Sequence, residues 1–384
     1  MLQLIELFQE QGFSIVFASA AQKSDFSSDL KSIGVTTQKI VLNSNTFDDF
    51  IKELNPEIVL FDRFVIEEQF GWRVYENCPN AMRILDTVDL HSLRLIRQDA
   101  VKKNIPFKIS SLLTSEMAKR EIASILRCDL SLIISEFEMK FLMDIFKIDS
   151  NLSHYLPLFF DLKGENLILD FHQKKDFVFI GNFIHEPNWD AVKQLKEKIW
   201  PKIRKELPDA IMHIYGAYPS QKVLQLHNTK ENFIIHGRAE NSNDVIINAK
   251  VLLAPIRFGA GLKGKLLEAM QMGTPSVTTN TGAEGISDIN EWSGFIEDDW
   301  DEFAAKSIQL YIEETQWNLA QKKGFQILKK FDRTHFKFSF FEKLTTLNHS
   351  LLEFRIQNFI GSLLLHHTTQ STKFMSKWIE EKNK

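Results

Sequence analysis

The chain has 384 residues, 44% of them hydrophobic and 25% charged, with a formal net charge of -4. That length accommodates two domains with cores of their own, and 46 basic against 50 acidic residues give no footprint for bulk nucleic-acid binding. The two cysteines, Cys78 and Cys128, make no metal or redox motif and read as buried thiols outside an oxidising compartment.

The chain opens on "MLQLIELFQEQGF", which carries Glu6 and Glu10 and lacks a basic leader, so it does not read as a signal peptide. No apolar run approaches the roughly 18–20 residues of a membrane-spanning helix, and the expected location is cytoplasmic. Then come "SIVFAS" (14–19), "EIVLF" (57–61), "MRILD" (82–86) and "LSLIIS" (130–135), short apolar runs that read as buried parallel strands. Helical patterns separate them, such as "TFDDFIKEL" (46–54) and the stretch 111–126. Pro157 and the polar stretch 161–175 mark a linker. A second series follows: "DFVFIGN", a helix over 188–206, then "AIMHIYG", "NFIIHG", "VLLAPI", "PSVTTN" and "GFIED". Beyond about residue 330 the pattern is helical and aromatic. Repeated strand–helix alternation predicts an α/β fold of two Rossmann-like doubly wound domains facing a central cleft. The expected boundaries are 1–165, 166–330 and a helical tail over 331–384.

"FGAGLKGK" (258–265) lies between a strand and a helix, so its amides are placed to face an anion at a helix N-terminus. Gly259, Gly261 and Gly264 spell the dinucleotide fingerprint, but at least three strands of the domain precede it, and the next strand ends in Asn280 rather than an acid. The loop nearly spells a P-loop as well, but Leu266 stands where a magnesium-coordinating hydroxyl belongs. The remaining reading is a loop that holds the diphosphate of a sugar nucleotide.

Residues 177–300 favour the sugar-nucleotide reading, with a nicotinamide oxidoreductase kept as a minor alternative. "FVFIGNFIHEPNWDAVKQL", "PDAIMHIYGAYP", "NFIIHGRAEN" and "VLLAPIRFGAGLKGKLLEAMQMGTPSVTTNTGAEGI" occur in the order and spacing of the family-four retaining glycosyltransferases and closely resemble their C-terminal domain. "DEFAAKSIQL" continues that resemblance, and "ILDTVDLHSLR" (84–94), "CDLSLIISEFE" (128–138) and "YLPLFFD" (155–161) extend it to the first domain.

The resemblance implies a GT-B fold and transfer of a sugar from a nucleotide-diphosphate sugar to a glycan or lipid-linked acceptor. Configuration is retained by front-side attack, with no enzyme nucleophile, no cofactor and no metal. It places the amides of Gly259, Ala260, Gly261 and Leu262 on the diphosphate, with Lys263 and Lys265 as cations, Lys265 at the more recurrent position. Glu268 matches the acid that binds the donor ribose, whereas the partner acid of that motif falls at Ala260, which has no carboxylate. Gly181 and Asn182 match a turn beside the diphosphate, where Asn182, His185 and Asn188 replace the usual cations. Glu284, in "TGAEG", reads either as a sugar contact or as a plain loop carboxylate.

In the first domain Asp86, Asp89, His91 and Arg94 cluster after a strand end. His91 matches a histidine near the transferred sugar, Asp89 is expected to orient its ring, and Asp86 and Arg94 are expected near a phosphate or acceptor. The bland alternative is a packed strand-end network without chemistry. The family begins with a strand and glycine-rich loop, whereas this sequence opens directly on a stretch that resembles the first helix, which reads either as a start assigned too late or as a truncated product. With Ala260, that departure favours an alternative: a catalytically inactive, glycosyltransferase-like scaffolding partner. The aromatic and basic tail suggests peripheral contact with a membrane, against the favoured reading that it packs on the protein itself.

Overall fold

The computed structural model describes residues 1–22, 26–162 and 168–382, without the side chains of 369 and 370. The middle of the anticipated linker, and with it the boundary at residue 165, lies outside the described residues.

The first series of strands comprises β1 (Val16–Ser19), β2 (Thr36–Lys39), β3 (Ile58–Asp62), β4 (Met82–Asp86), β5 (Leu130–Ile133) and β6 (Ser153–Tyr155). All pairings are parallel, but they form two sheets: β1 with β2, and β3-β4-β5-β6. The four-stranded sheet is buried on both faces. One face packs on Leu4, Leu7, Phe336 and Phe340, and the other on Phe70, Val74, Leu93, Leu112 and Ile125. The four anticipated runs are all strands. β2 and β6 went unanticipated, since Thr36–Lys39 is polar and largely exposed and Ser153–Tyr155 is only three residues long. The helix expected over 111–126 is two helices, Ile109–Leu113 and Glu116–Arg127, interrupted where Ser115 turns extended at ψ 131°.

The second series comprises β7 (Lys175–Ile180), β8 (Met212–Tyr215), β9 (Phe233–Gly237), β10 (Ala249–Ala254), β11 (Ser276–Thr278) and β12 (Gly294–Ile296). They form one parallel sheet in the order β12-β11-β10-β7-β8-β9. The chain steps outward from β7 in one direction, then returns to build β10–β12 on the other side. The order therefore reverses between β7 and β10, and a ligand crevice opens beyond the carboxyl ends of those two strands. The helical stretch expected over 188–206 is continuous in trace from Glu186 to Glu206, but residues 195–199 widen into a π turn. Pro201 has no N–H to donate into the preceding turn, which accounts for the widening.

Helix Arg333–His349 buries Phe336, Phe340, Leu344 and Leu347 against the first domain. Helices Leu351–Gln357 and Phe359–Lys382 stay on that domain. Arg355 binds Asp129 at 2.7 Å and 2.8 Å, and Asn358 donates to the Leu126 carbonyl at 2.8 Å. Arg73, nearly without exposure, reaches Asp48, Ser376 and Glu380. No helix among the described residues is long and apolar enough to cross a membrane.

Candidate functional site

The turn after β7 and the helix after β10 meet in a cleft of about 340 Å³. Gly181, Asn182, His185, Asn188, Arg238, Ser242, Lys265 and Glu268 line it. Lys265 Nζ donates to Asn188 Oδ1 at 2.7 Å and lies 4.0 Å above the Phe179 ring. Asn188 is held in turn by its amide, which donates to the Asn182 carbonyl at 2.7 Å. A Cβ on residue 181 would stand 2.7 Å from the Asn188 amide and 2.8 Å from Lys265 Nζ, so a side chain there would displace both. Burial, partly offset by the Glu268 carboxylate, pushes the Lys265 ammonium down to about 7. The Glu268 carboxyl is raised by burial, an effect that the neighbouring Ser242 hydroxyl and the Lys265 ammonium partly offset. Ser242 and Glu268 also border a second hollow, of about 390 Å³, that reaches Gln3, Glu6 and Arg333.

The other half of the glycine loop faces the first domain. Gly261 has φ 63°, and a Cβ there would sit 2.8 Å from Cβ of Asp89. Its N–H donates to Glu138 Oε1 at 2.7 Å, and its carbonyl accepts from Lys263 Nζ at 2.9 Å. Two expectations are corrected here. The Gly261 amide is not a free donor, because a first-domain carboxylate already occupies it. Lys263 is almost fully buried and spent on its own loop, leaving Lys265 as the lysine in the cleft. Ala260 packs against the first domain's core, and Leu262 against the second's. Glu284 is gripped by Arg97 through two hydrogen bonds, at 2.7 Å and 2.8 Å, and Arg97 also donates to the Gly259 carbonyl at 2.9 Å.

Asp89, His91 and Arg94 gather at the amino end of helix His91–Lys102. Arg94 is paired with Asp89 through one arm of its guanidinium. His91 Nδ1 stands 3.6 Å from Asp89 and 3.5 Å from Glu121, beyond hydrogen-bonding distance, and is buried without a partner. Asp89 therefore does not orient the ring by a hydrogen bond; the Phe64 edge, 5.6 Å away, packs against it instead. Asp86 accepts from the Val88 amide at 3.2 Å, and burial raises its carboxyl. His185 joins the two halves electrically. Burial lowers it first, and the Arg94 and Lys265 charges add to that from opposite domains.

Reading the sequence missed Glu138 and Arg97. Glu138 is fully buried; desolvation and the nearby Asp89 push its carboxyl up to about 8. Its one sequence signal is its place in "SEFE", immediately beyond a strand end.

Residues 174–313 match the family model described as glycosyl transferases group 1. Among solved structures, the chain is similar to a glycosyltransferase from Rickettsia africae (12% identity, 89% of this chain and 92% of that one, TM-score 0.64). It is also similar to Anabaena HepE in complex with UDP-glucose (12% identity, 90% and 95%, TM-score 0.64). A third is a TarM variant of S. aureus in complex with UDP (15% identity, TM-score 0.60), which covers 78% of this chain. The chain spans 58% of the length of that TarM chain. A comparison with curated proteins finds no match. The fold is that of a GT-B protein, and the group 1 glycosyl transferase match falls within its second domain.

Proposed function

We propose that the chain is a glycosyltransferase that moves a sugar from a nucleotide-diphosphate sugar to a glycan or lipid-linked acceptor, with retention and without a metal. The observation that carries this is the Lys265 ammonium, held by Asn188 against the Gly181 turn at the reversal point of the second sheet, one helical turn from Glu268. As the bond to the sugar breaks, negative charge grows on the diphosphate, and a preorganised cation in a partly dry cleft stabilises it. Lys265 is assigned to that charge, Glu268 with Ser242 to the donor ribose, and His91 to the sugar side of the cleft. Gly261, Lys263 and Glu284 are assigned to holding the loop rather than the donor. Peripheral membrane contact stays a proposal for the tail: one face packs on the first domain, while Leu352, Ile356, Phe359, Phe374 and Trp378 stay exposed on the other.

The test is a thermal-shift screen of the purified chain against UDP, GDP, ADP, CMP and NAD, with Lys265→Ala and Glu268→Ala alongside. One nucleoside diphosphate is expected to raise the melting temperature, and both variants are expected to lose the shift. UDP is tried first because the HepE and TarM structures hold it or its sugar. A protein that melts cooperatively yet responds to no diphosphate, or one that prefers NAD, overturns the reading.

A further inference from the structure

We propose that Glu138 and Arg97, two first-domain residues, are the positioning residues of the second domain's anion-binding loop. The inference rests on the diphosphate reading of that loop. Glu138 stands on helix Glu136–Ile145, immediately after β5. Its Oε1 accepts the Leu90 amide of its own domain at 3.0 Å and the Gly261 amide of the other at 2.7 Å. Arg97 stands on helix His91–Lys102, with its guanidinium 5.4 Å from the Phe137 ring and 5.7 Å from the Phe107 ring. From there it takes the Gly259 carbonyl and both oxygens of Glu284. The loop is thus held at the two consecutive peptide groups that flank Ala260, the first by its C=O and the second by its N–H. These grips also set Leu262 and Lys263, and through them the start of helix Gly264–Gln271, which carries Lys265 and Glu268.

Packing alone does not account for Glu138. A fully buried carboxyl with Oε2 unpartnered is a costly way to fill space at a domain boundary. Gly285 shows the same close approach, because a Cβ there would meet Ser135 Oγ at 2.3 Å. Both donor-side loops of the second domain therefore bear on the ends of β4 and β5, and the loop geometry is a property of the closed pair of domains. A loop fixed in this way has its remaining amides aimed before the ligand arrives, so the ligand bears less of the cost of ordering it.

The experiment measures Kd for UDP and for inorganic pyrophosphate, which carries the shared anion whatever the base. The proteins are the full chain and its Glu138→Ala, Glu138→Gln, Arg97→Ala and Glu138→Ala/Arg97→Ala variants, each with its unliganded Tm. Glu138→Ala is expected to weaken both probes about tenfold, and Glu138→Gln, which keeps the accepting oxygen, to stay within about twofold of the parent. Arg97→Ala is expected to weaken them by about fivefold or more with little change in Tm, because its carboxylate partner is not fully buried. The double variant is expected to lose less than the product of the single losses, because both residues act on one loop. Should Glu138→Ala not fold, Arg97→Ala and Glu138→Gln carry the test. If folded Arg97→Ala and Glu138 variants bind both probes as the parent does, the positioning role is overturned and the donor reading stands. If the parent binds neither these probes nor any other nucleoside diphosphate, both fall together.

Discussion

Lys265 shows what a single buried charge predicts. Burial pushes its ammonium down to about 7, and a bound diphosphate is expected to draw it back up. The protonated form binds the anion better. Affinity for a nucleoside diphosphate is therefore highest below pH 7 and falls as pH rises through and above that value, by up to about tenfold per unit. Binding at pH 8 is expected to take up a proton, which calorimetry in buffers of different ionisation enthalpy reads directly; uptake of none would place Lys265 off the phosphates. Gly261 gives a second prediction. Gly261→Ala combines φ 63° with a contact at 2.8 Å to Asp89, so it is expected to cost about 1–3 kcal/mol in urea unfolding and to weaken UDP binding. At this scale the sequence was only partly legible. The loop, Lys265 and Glu268 were visible because the chemistry lies in adjacent residues. That the Gly261 amide is taken by Glu138 was not, because the two lie 123 positions apart and only the fold brings them together.

Elements were more legible than residues, and the reason is periodicity. Runs such as "VLLAPI" and "MRILD" are buried on both faces and declare themselves by composition, whereas the polar Thr36–Lys39 offers neither an apolar run nor a clear alternation. The tail illustrates a further limit: its helical character was evident, but the residues that dock it are charges. Asp129 is 2% exposed and bound by Arg83 and Arg355. Arg355→Ala leaves that carboxylate with one cation, and is expected to cost about 2–4 kcal/mol at neutral pH. Although burial opposes it, Arg355 and Arg83 hold the Asp129 carboxyl below its ordinary value. Its contribution is therefore present above the unfolded value and is lost as pH falls through the folded one, so the difference between parent and variant is expected to shrink below about pH 4. Denaturant curves at pH 7 and pH 3 check both parts; an equal gap at the two pH values would contradict the assignment.

At the scale of the whole molecule, the two domains meet through the loop that leads into the helix carrying Lys265 and Glu268, so binding and domain closure are expected to be coupled. The second domain is one six-stranded sheet around one core, but the first is divided. Among the described residues no ladder joins β1 to β3, and β1 and β2 form a parallel pair of four residues each. A two-stranded ribbon of that size is marginal by itself. β1 and β2 are therefore expected to open and close as a local unit while the rest stays native. Amide exchange is expected to proceed there orders of magnitude faster than in β7 or β10. Among the described residues the edge of β3 is already unpaired, and each opening exposes β1 and β2 beside it, so association of the chain with itself on storage is expected to begin at this seam.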